Sequence, residues 1–280
     1  MSIRLVAVDI DGTLLDNRGQ VPERNRSALA AAVGLGVEVA LVTGRAHHFT
    51  HAIVASLPRP LTLILSNGAV VKNAEGTTLL AYPLARATAL AVLDLTRAYR
   101  EDASVLFDRG GPEQVVYERT DWSHPSRRAY YDRNRAFIGV SFPLENALET
   151  DPIAVSFNGP VARMRDVAAL LKSSPVARDV ALAATEYEAR DFALLDVIAP
   201  GCSKGHTLAA WAGRRGVARE AIMAVGDNLN DVEMLEHAGW PVVMGNAVDG
   251  LRGRGWPVTG HNDEAGLADA IERFVLVNRL

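Results

Sequence analysis

The sequence predicts an α/β fold in which a Rossmann-like, doubly wound parallel sheet forms a core that is interrupted by an inserted α+β domain. Near-continuous apolar strands alternate with helical segments over residues 1–82 and again over 200–280, as in βα units. Between them, residues 83–199 mix hairpins with helices, and a proline stands at each join. We therefore expect a core of 1–82 and 200–280 and an inserted domain of 83–199, and a length of 280 residues suits two domains.

The first part of the core reads as three apolar strands with a helix between the first two. The strands are expected at 3–9, 37–43 and 61–69. The helix is expected to begin near Pro22, because a proline is tolerated in the first turn, where the N–H groups have no helical partner. Strands that are apolar on both faces are typical of a parallel sheet covered by helices on both sides. Residues 70–83 then predict a hairpin.

The inserted domain and the second part of the core are expected to contain the following elements. In the insertion they are a helix at about 84–100, two short strands separated by a Gly-Gly-Pro turn, a basic helix, a strand at IAVSFNG, a helix at 161–172 and strands near 178–184 and 192–198. In the second part of the core they are helix 203–214, strand 221–226, helix 229–238, strand 241–244 and helix 263–275.

The composition is that of an ordinary globular protein and excludes several functions. Hydrophobic residues make up 49% of the chain, charged residues 22%, and the formal net charge is −4, which gives no overall attraction to nucleic acid or to anionic membranes. No apolar run approaches the ~18 residues that span a bilayer, and the acidic N-terminal segment is unlike a secretory signal. The single cysteine excludes an internal disulfide. We expect a cytoplasmic protein that binds neither nucleic acid nor membranes, and its oligomeric state stays open.

Polar motifs follow the predicted core strands at their carboxyl ends. In RLVAVDIDGTLLD, two carboxylates lie two positions apart at the end of an apolar strand, where a strand interior would not favour even one. Ligands of open parallel α/β sheets bind beyond the carboxyl ends of the strands, so folding is expected to bring these motifs to one edge. The motifs are Asp9 and Asp11, TGR at 43–45, SNG at 66–68, SKG at 203–205 and GDNLND at 226–231.

Together these motifs resemble those of the haloacid dehalogenase superfamily, which are DxDGT, a Ser or Thr after the second strand, a Lys, and GDxxND. The long insertion before the Lys is similar to the cap of the Cof-type, class IIB subfamily, as are SNGA, SKG, VVMGNA (242–247) and HNDEAGLA (261–268). The resemblance covers the core from Asp9 to nearly the C-terminus, and in the insertion it extends only to size and element order. It implies a capped phosphatase.

The resemblance also implies roles for the acidic residues. Asp9 is the expected nucleophile, which forms an aspartyl-phosphate, and Asp11 is the expected general acid and then base. Two nearby carboxylates resist double ionisation, which helps to keep a proton on one of them. Mg²⁺ is the expected cofactor because it would offset the repulsion between Asp9 and the phosphoryl oxygens. Its expected ligands are the Asp9 side chain, the Asp11 backbone carbonyl and the Asp227 carboxylate, with Asp231 as a further ligand or as support for one.

The phosphoryl group is expected to be bound by five residues. Thr43 and Gly44 lie where a helix is expected to begin, so the hydroxyl and the N–H can donate to phosphate oxygens. Lys204 supplies a positive point charge, and the resemblance adds the Asn230 side chain and the Ile10 backbone N–H. Taken singly, Thr43 and Asn230 could be only helix caps and Lys204 a solvated lysine. Their joint occurrence favours phosphate binding.

Three residues near the same edge are weaker candidates for substrate contacts: Arg45, His47 and Asn67. His47 and His51 have the spacing of a zinc pair, but no third ligand is evident, so we interpret them as a polar helix face. The arginines of 127–135 are interpreted as a solvated face rather than an anion-binding patch, because aspartates interrupt them.

The sequence therefore predicts a Mg²⁺-dependent phosphatase that hydrolyses a small phosphorylated metabolite, either a sugar phosphate or a phosphorylated cofactor. Two alternatives stay open. A phosphomutase with a similar core would return the phosphoryl group to the substrate, and a non-catalytic binding module would use the core without chemistry. The intact Asp9, Asp11, Lys204 and Asp227 argue against the binding module. A dehalogenase is disfavoured because that branch does not need Asp11 or the metal carboxylates.

Overall fold

The computed structural model describes residues 2–277. The strands are β1 (Leu5–Val8), β2 (Glu38–Val42), β3 (Leu61–Leu65), β4 (Val70–Asn73), β5 (Thr78–Ala81), β6 (Ala103–Leu106), β7 (Val115–Tyr117), β8 (Ile138–Val140), β9 (Ala154–Gly159), β10 (Ala181–Tyr187), β11 (Phe192–Ile198), β12 (Ile222–Gly226) and β13 (Trp240–Val243). The α-helices are α1 (Glu23–Gly34), α2 (His51–Ala55), α3 (Arg86–Leu95), α4 (Pro125–Asn134), α5 (Val161–Lys172), α6 (Lys204–Arg214), α7 (Val232–His237), α8 (Asp249–Arg252) and α9 (Gly266–Ile271).

The chain divides into two compact units. The core unit takes in the chain up to Leu80 and again from Ser203, and the insertion unit is Ala81–Cys202. The divisions fall at 80/81 and 202/203, whereas the prolines suggested 82/83 and 199/200. Within the described residues, no helix combines the length and the apolar character that a bilayer crossing requires.

The core unit is built on a seven-stranded sheet in the order β13-β12-β1-β2-β3-β4-β5. Every residue of β1 is fully buried, and alternate residues enter different clusters. Val6 and Val8 pack with apolar residues of α1 and α9, whereas Leu5 and Ala7 pack with those of α6 and α7. Helices therefore cover both faces of the sheet, and the predicted doubly wound α/β fold is confirmed.

Strands β12, β1, β2 and β3 run parallel, so their carboxyl ends share one edge of the sheet. The prediction of a strand over 61–69 was too long, because β3 ends at Leu65 and the next three residues turn with positive φ. After this turn, β4 returns antiparallel to β3, so the far side of the sheet is not parallel. The turn brings a further polar motif to the shared edge.

The insertion unit has its own six-stranded sheet in the order β10-β11-β9-β6-β7-β8, antiparallel except for β7 and β8. Apolar residues of α3 and α5 pack on one face against Val155, Phe157 and Leu195. This unit is α+β, as expected, but β8 was not predicted, since it has three residues and its Val140 is exposed. The helix expected at 84–100 stops at Leu95 and continues as a tighter turn.

Candidate active site

The turn after β1 places two aspartates in different surroundings. Asp9 is buried and its backbone N–H donates to Val225 O (3.1 Å), so it lies between β1 and β12. The chain then turns through Gly12, whose φ is +83°. A β-carbon at Gly12 would collide with the Asp227 carboxylate, so only glycine lets these two segments approach so closely.

Lys204 binds two buried carboxylates. It is the first residue of α6, which is capped by Ser203 through its hydroxyl, an acceptor for the His206 N–H. The Lys204 ammonium donates to Asp9 Oδ1 (2.6 Å) and to Asp231 Oδ1 (2.7 Å), and all three side chains are buried. A residue from the start of α6 is thus joined to the end of β1 and to the loop after β12.

The loop after β12 contains Asp231 and also a third carboxylate, Asp227. Asp231 Oδ2 accepts the backbone N–H groups of Asp227 (3.0 Å) and Asn228 (3.1 Å), which fixes the loop. Asp227 Oδ1 in turn accepts from the Thr13 hydroxyl (3.1 Å). One carboxylate oxygen from each of Asp9, Asp227 and Asp231 lies within 4.8 Å of the other two. We call these three residues and Lys204 the buried centre.

The buried centre holds three acidic side chains and one basic side chain. Burial raises the pKa of Asp9 well above its ordinary value, and although Lys204 lowers it, the neighbouring carboxylates add to the rise. Burial, together with the charge of Asp231, raises the pKa of Asp227 to about 7. Burial disfavours the charged form of Lys204, but Asp231 and Asp9 more than offset it and raise its pKa. Three carboxylates facing one ammonium suit a metal ion, because hard cations prefer oxygen ligands and would compensate the excess charge.

Asp11 is paired with a different cation. Arg45, three residues beyond the end of β2, donates from Nε to Asp11 Oδ2 (2.8 Å) and from Nη2 to Asp11 Oδ1 (2.6 Å). The Asp11 side chain is 47% exposed and that of Arg45 is 31% exposed. We call Asp11 and Arg45 the rim pair. This pair was not predicted from the sequence, although opposite charges that follow neighbouring strands β1 and β2 could have indicated it.

The loops after β2 and β3 are hydrogen-bonded to each other. The backbone N–H groups of Ser66 and Asn67 donate to Arg45 O and Thr43 O, each at 3.0 Å. A β-carbon at Gly44 would lie 3.1 Å from Asn67 Oδ1, so the Asn67 amide packs directly on that glycine. The sequence predicted that a helix begins at Thr43, and this is wrong, because the next helical turn begins at residue 47. Instead, Thr43 Oγ1 accepts the Arg45 N–H (3.2 Å), which leaves the hydroxyl hydrogen as a donor.

The turn after β3 also contacts the start of α6. Ser66, Asn67 and Gly68 have φ of 49°, 55° and 100°, which is uncommon for the two residues with side chains. The Thr207 hydroxyl donates to Gly68 O (2.8 Å), and a β-carbon at Gly68 would collide with Ser203 O. The turn therefore links the Thr43 loop to the helix that carries Lys204.

The remaining predicted residues lie around this edge. Ile10 is buried at the start of the turn after β1, and Asn230 is half-buried beside Asp231 in the loop after β12. His47 packs elsewhere, because a β-carbon at Gly76 would lie 2.7 Å from His47 Cε1 and its ring meets His51 edge-on at 4.6 Å. The structure thus groups Asp9, Lys204, Asp227 and Asp231, pairs Asp11 with Arg45, and sets His47 against a hairpin.

Some residues that shape the site were not assigned a role from the sequence. Thr13 holds Asp227, and the Asn246 amide donates to Gly12 O (2.8 Å). Asn262 donates its backbone N–H to Asn246 Oδ1 (2.9 Å) and its amide to Leu15 O (2.9 Å). Both asparagines lie in the motifs VVMGNA and HNDEAGLA, whose contacts with the loop after β1 join segments that are distant in sequence.

Sequence comparison points to one family. The profile of haloacid dehalogenase-like hydrolases matches residues 6–271 of the chain. Pyridoxal phosphate phosphatase YbhA from Escherichia coli is 28% identical, over 98% of this chain and 98% of its own length. The 5-amino-6-(5-phospho-D-ribitylamino)uracil phosphatase YcsE from Bacillus subtilis is 25% identical, over 99% of this chain and 97% of its own length.

Solved structures share the fold. A haloacid dehalogenase-like hydrolase from Bacteroides thetaiotaomicron has a TM-score of 0.81 at 22% identity, covering 97% of this chain and 99% of that one. BT1666, a phosphatase of the same superfamily and organism, has a TM-score of 0.79 at 25% identity, covering 98% of this chain and 95% of that one. These similarities run over both units of the chain.

Proposed function

The chain belongs to the haloacid dehalogenase-like hydrolases, and on this premise we propose that it is a phosphatase that releases phosphate from a small phosphorylated metabolite. The observation that carries the proposal is the buried centre. A carboxylate at the end of β1 has an ammonium 2.6 Å from one of its oxygens and further carboxylates beside it. In such a site the carboxylate can attack the phosphorus atom, and the neighbouring charged groups can compensate the charge that develops on the phosphoryl group. Positioning and charge compensation are most of what phosphoryl transfer requires.

In the first step, Asp9 attacks the phosphorus atom. Lys204 binds Oδ1 of Asp9, which leaves Oδ2 as the attacking atom. The bond from Oδ2 to phosphorus forms, the bond from phosphorus to the ester oxygen breaks, and Asp11 gives a proton to the leaving oxygen. In the second step, water attacks the same phosphorus atom, Asp11 takes a proton from it, and phosphate leaves Asp9.

The phosphoryl oxygens need donors, and the shared strand edge offers several. We assign this contact to the Lys204 ammonium, the Thr43 hydroxyl and the N–H groups of Ile10 and Gly44, with the Asn230 amide beside them. A bound Mg²⁺ would supply positive charge that offsets the repulsion between the nucleophile and the phosphoryl group. The residues that would hold it are Asp9 and Asp227 through their carboxylates and Asp11 through its backbone carbonyl, with Asp231 fixing the Asp227 loop.

The substrate class follows from the relatives by analogy. YbhA is named for pyridoxal phosphate and YcsE for a phosphorylated ribitylaminouracil, and both substrates are small phosphate monoesters. We therefore propose a sugar phosphate or a phosphorylated cofactor as the substrate and a cytoplasmic location, where such metabolites are made. The insertion unit is proposed to act as the cap domain.

The test is a phosphate-release screen with protein stripped of metal. The panel contains pyridoxal phosphate, flavin mononucleotide, sugar phosphates, nucleotides and p-nitrophenyl phosphate, each with Mg²⁺ or with chelator. We expect Mg²⁺-dependent release that is absent from the Asp9→Asn protein. Full turnover in chelator would contradict the proposal, and isomerisation that needs a bisphosphate and releases no phosphate would favour the phosphomutase.

A further inference from the structure

Arg45 binds both oxygens of Asp11, a geometry that Arg24 and Glu272 share at the surface of the core unit and that Arg59 and Glu75 do not. Two nitrogens of Arg45 each bind a different oxygen of Asp11, at 2.8 and 2.6 Å. A planar guanidinium that binds both carboxylate oxygens fixes the plane of the carboxylate as well as its distance. By contrast, Arg59 reaches Glu75 through a single nitrogen at 2.8 Å, with both side chains largely exposed.

The backbone on the arginine side is firmly anchored. The Arg45 N–H donates to Thr43 Oγ1 (3.2 Å), and Arg45 O accepts from the Ser66 N–H (3.0 Å). Arg45 Nη1 also donates to Phe49 O (3.4 Å). Both peptide groups of the residue are therefore bound, and its side chain has a second attachment besides Asp11. Such an anchored guanidinium loses little further freedom when it binds a carboxylate.

The Asp11 side chain is less constrained by its own surroundings than the Arg45 side chain is. Asp11 lies in the turn between Asp9 and Gly12, and its side chain is 47% exposed. A carboxylate in such a position would sample several rotamers without a partner. It has about four lone-pair sites, and Arg45 uses two of them, so the others stay available to an approaching ligand. The pair therefore orients Asp11 without covering it.

We propose that Arg45 is the positioning residue for the acid–base aspartate, Asp11, rather than a contact to the substrate as the sequence suggested. This inference rests on the proposed function, because it gives Asp11 a proton to deliver. Misplacing a reacting group by about 1 Å can lower the rate on the order of 10²-fold. An arginine that fixes the Asp11 carboxyl group would prevent this loss. The proton itself still moves only between Asp11 and the leaving oxygen, or between water and Asp11.

The experiment compares two esters in four proteins: the parent, Arg45→Met, Asp11→Asn and the double variant. One ester is the best alkyl phosphate from the screen, whose leaving oxygen needs a proton, and the other is p-nitrophenyl phosphate, whose leaving group does not. We expect Arg45→Met to lower kcat on the alkyl ester about 10–100-fold with KM changed less than about threefold. First-turnover release of p-nitrophenolate should change less than about threefold.

The double variant is the decisive measurement. If Arg45 acts through Asp11, then adding Arg45→Met to Asp11→Asn should change kcat on the alkyl ester by less than about twofold, since the group that it positions is already disabled. Arg45→Lys should recover only part of the loss, because a point charge cannot fix the carboxylate plane. Arg59→Met is the matched control, since it loses an arginine from an exposed pair in the same unit, and should behave as the parent.

An equal rise in KM for both esters, persisting in the Asp11→Asn background, would overturn the inference and make Arg45 a direct phosphate contact. That result would leave the proposed function intact. Failure of the proposed function has a different signature, because the parent protein itself would then release no phosphate, or Asp9→Asn would release as much as the parent.

Discussion

Asp9 and Asp11 are the same residue type and lie two positions apart, yet one belongs to the buried centre and the other to the rim pair. Asp9 is buried with two further carboxylates and one shared ammonium, whereas Asp11 is half exposed and has a guanidinium of its own. Charges interact strongly when water is excluded, so the buried centre favours nucleophilic attack and charge compensation. The rim pair is balanced in charge and open to water, so a leaving group and a water molecule can both reach Asp11. Surroundings, rather than residue type, separate the two roles.

The largest expected effect comes from removing the nucleophile of the buried centre. Asp9→Asn should lower kcat/KM by at least about 10⁴-fold and leave no phosphate bound covalently to the protein. Radiolabelled substrate and acid quenching would detect the covalent phosphate in the parent. The variant should still be folded, because burial and the neighbouring carboxylates disfavour the charge that it removes. Label on the Asp9→Asn protein would show that the two aspartates have been assigned the wrong way round.

Removing the proton carrier of the rim pair should have a smaller and leaving-group-dependent effect. Asp11→Asn should lower kcat about 10²–10⁴-fold on an alkyl phosphate, the usual worth of general acid–base catalysis. On p-nitrophenyl phosphate the first step should survive while the second slows, so covalent phosphate should accumulate on Asp9. Rapid-quench measurements with both esters check this. Equal losses in the first step for the two esters would remove the distinction between the two regions.

A third contrast concerns the free energy of unfolding after removal of either cationic side chain, Lys204 or Arg45. In chelator, Lys204→Met should lower the free energy of unfolding by about 3–5 kcal/mol, because it leaves two buried carboxylates without their ammonium. Arg45→Met should cost less than about 1 kcal/mol, since the rim pair is half exposed and its charges remain hydrated. Urea unfolding of both variants provides the comparison. Similar losses for the two would mean that burial does not distinguish the regions energetically.

The last expected effect is a dependence of stability on pH. The folded-state pKa of Asp227, about 7, lies above the ordinary value of 3.8, so the folded protein binds more protons than the unfolded chain between these values. Metal-free protein should therefore lose stability as pH rises from about 4 towards about 7. Asp227→Asn should reduce this slope in urea unfolding. Asp16→Asn is the control, because hydrogen bonds lower the pKa of Asp16 and its contribution lies at lower pH; an unchanged slope in Asp227→Asn would contradict the prediction.

The sequence predicted the elements whose causes are local. Apolar runs located β1, β2, β3 and β12, and the polar residues after them located the edge where Asp9, Asp11 and Asp227 lie. Parallel strands dictate that shared edge, so the grouping follows from periodicity and topology. β8 could not be predicted in this way, because a strand of three residues is too short to carry a pattern distinguishable from a loop.

Contacts between distant segments were beyond local reasoning. Thr13 is 214 residues from Asp227 and Asn246 is 234 residues from Gly12, so no spacing rule joins them. The prediction that a helix begins at Thr43 was wrong for a related reason. The Thr43 loop is bonded instead to the left-handed turn after β3, and consecutive positive φ at Ser66 and Asn67 is stabilised by tertiary contacts that propensity does not include.

The position of β1 in the sheet affects how the chain can fold while it is being synthesised. One neighbour of β1, β2, follows within 42 residues of the start, but the other, β12, begins at Ile222. The insertion unit, with its own hydrophobic core, is synthesised entirely in between. Until Gly226 emerges, a fully apolar strand has one unpaired edge, and such edges are templates for aggregation. Nascent chains that stall before β12 should therefore depend on chaperones far more than chains that stall after it.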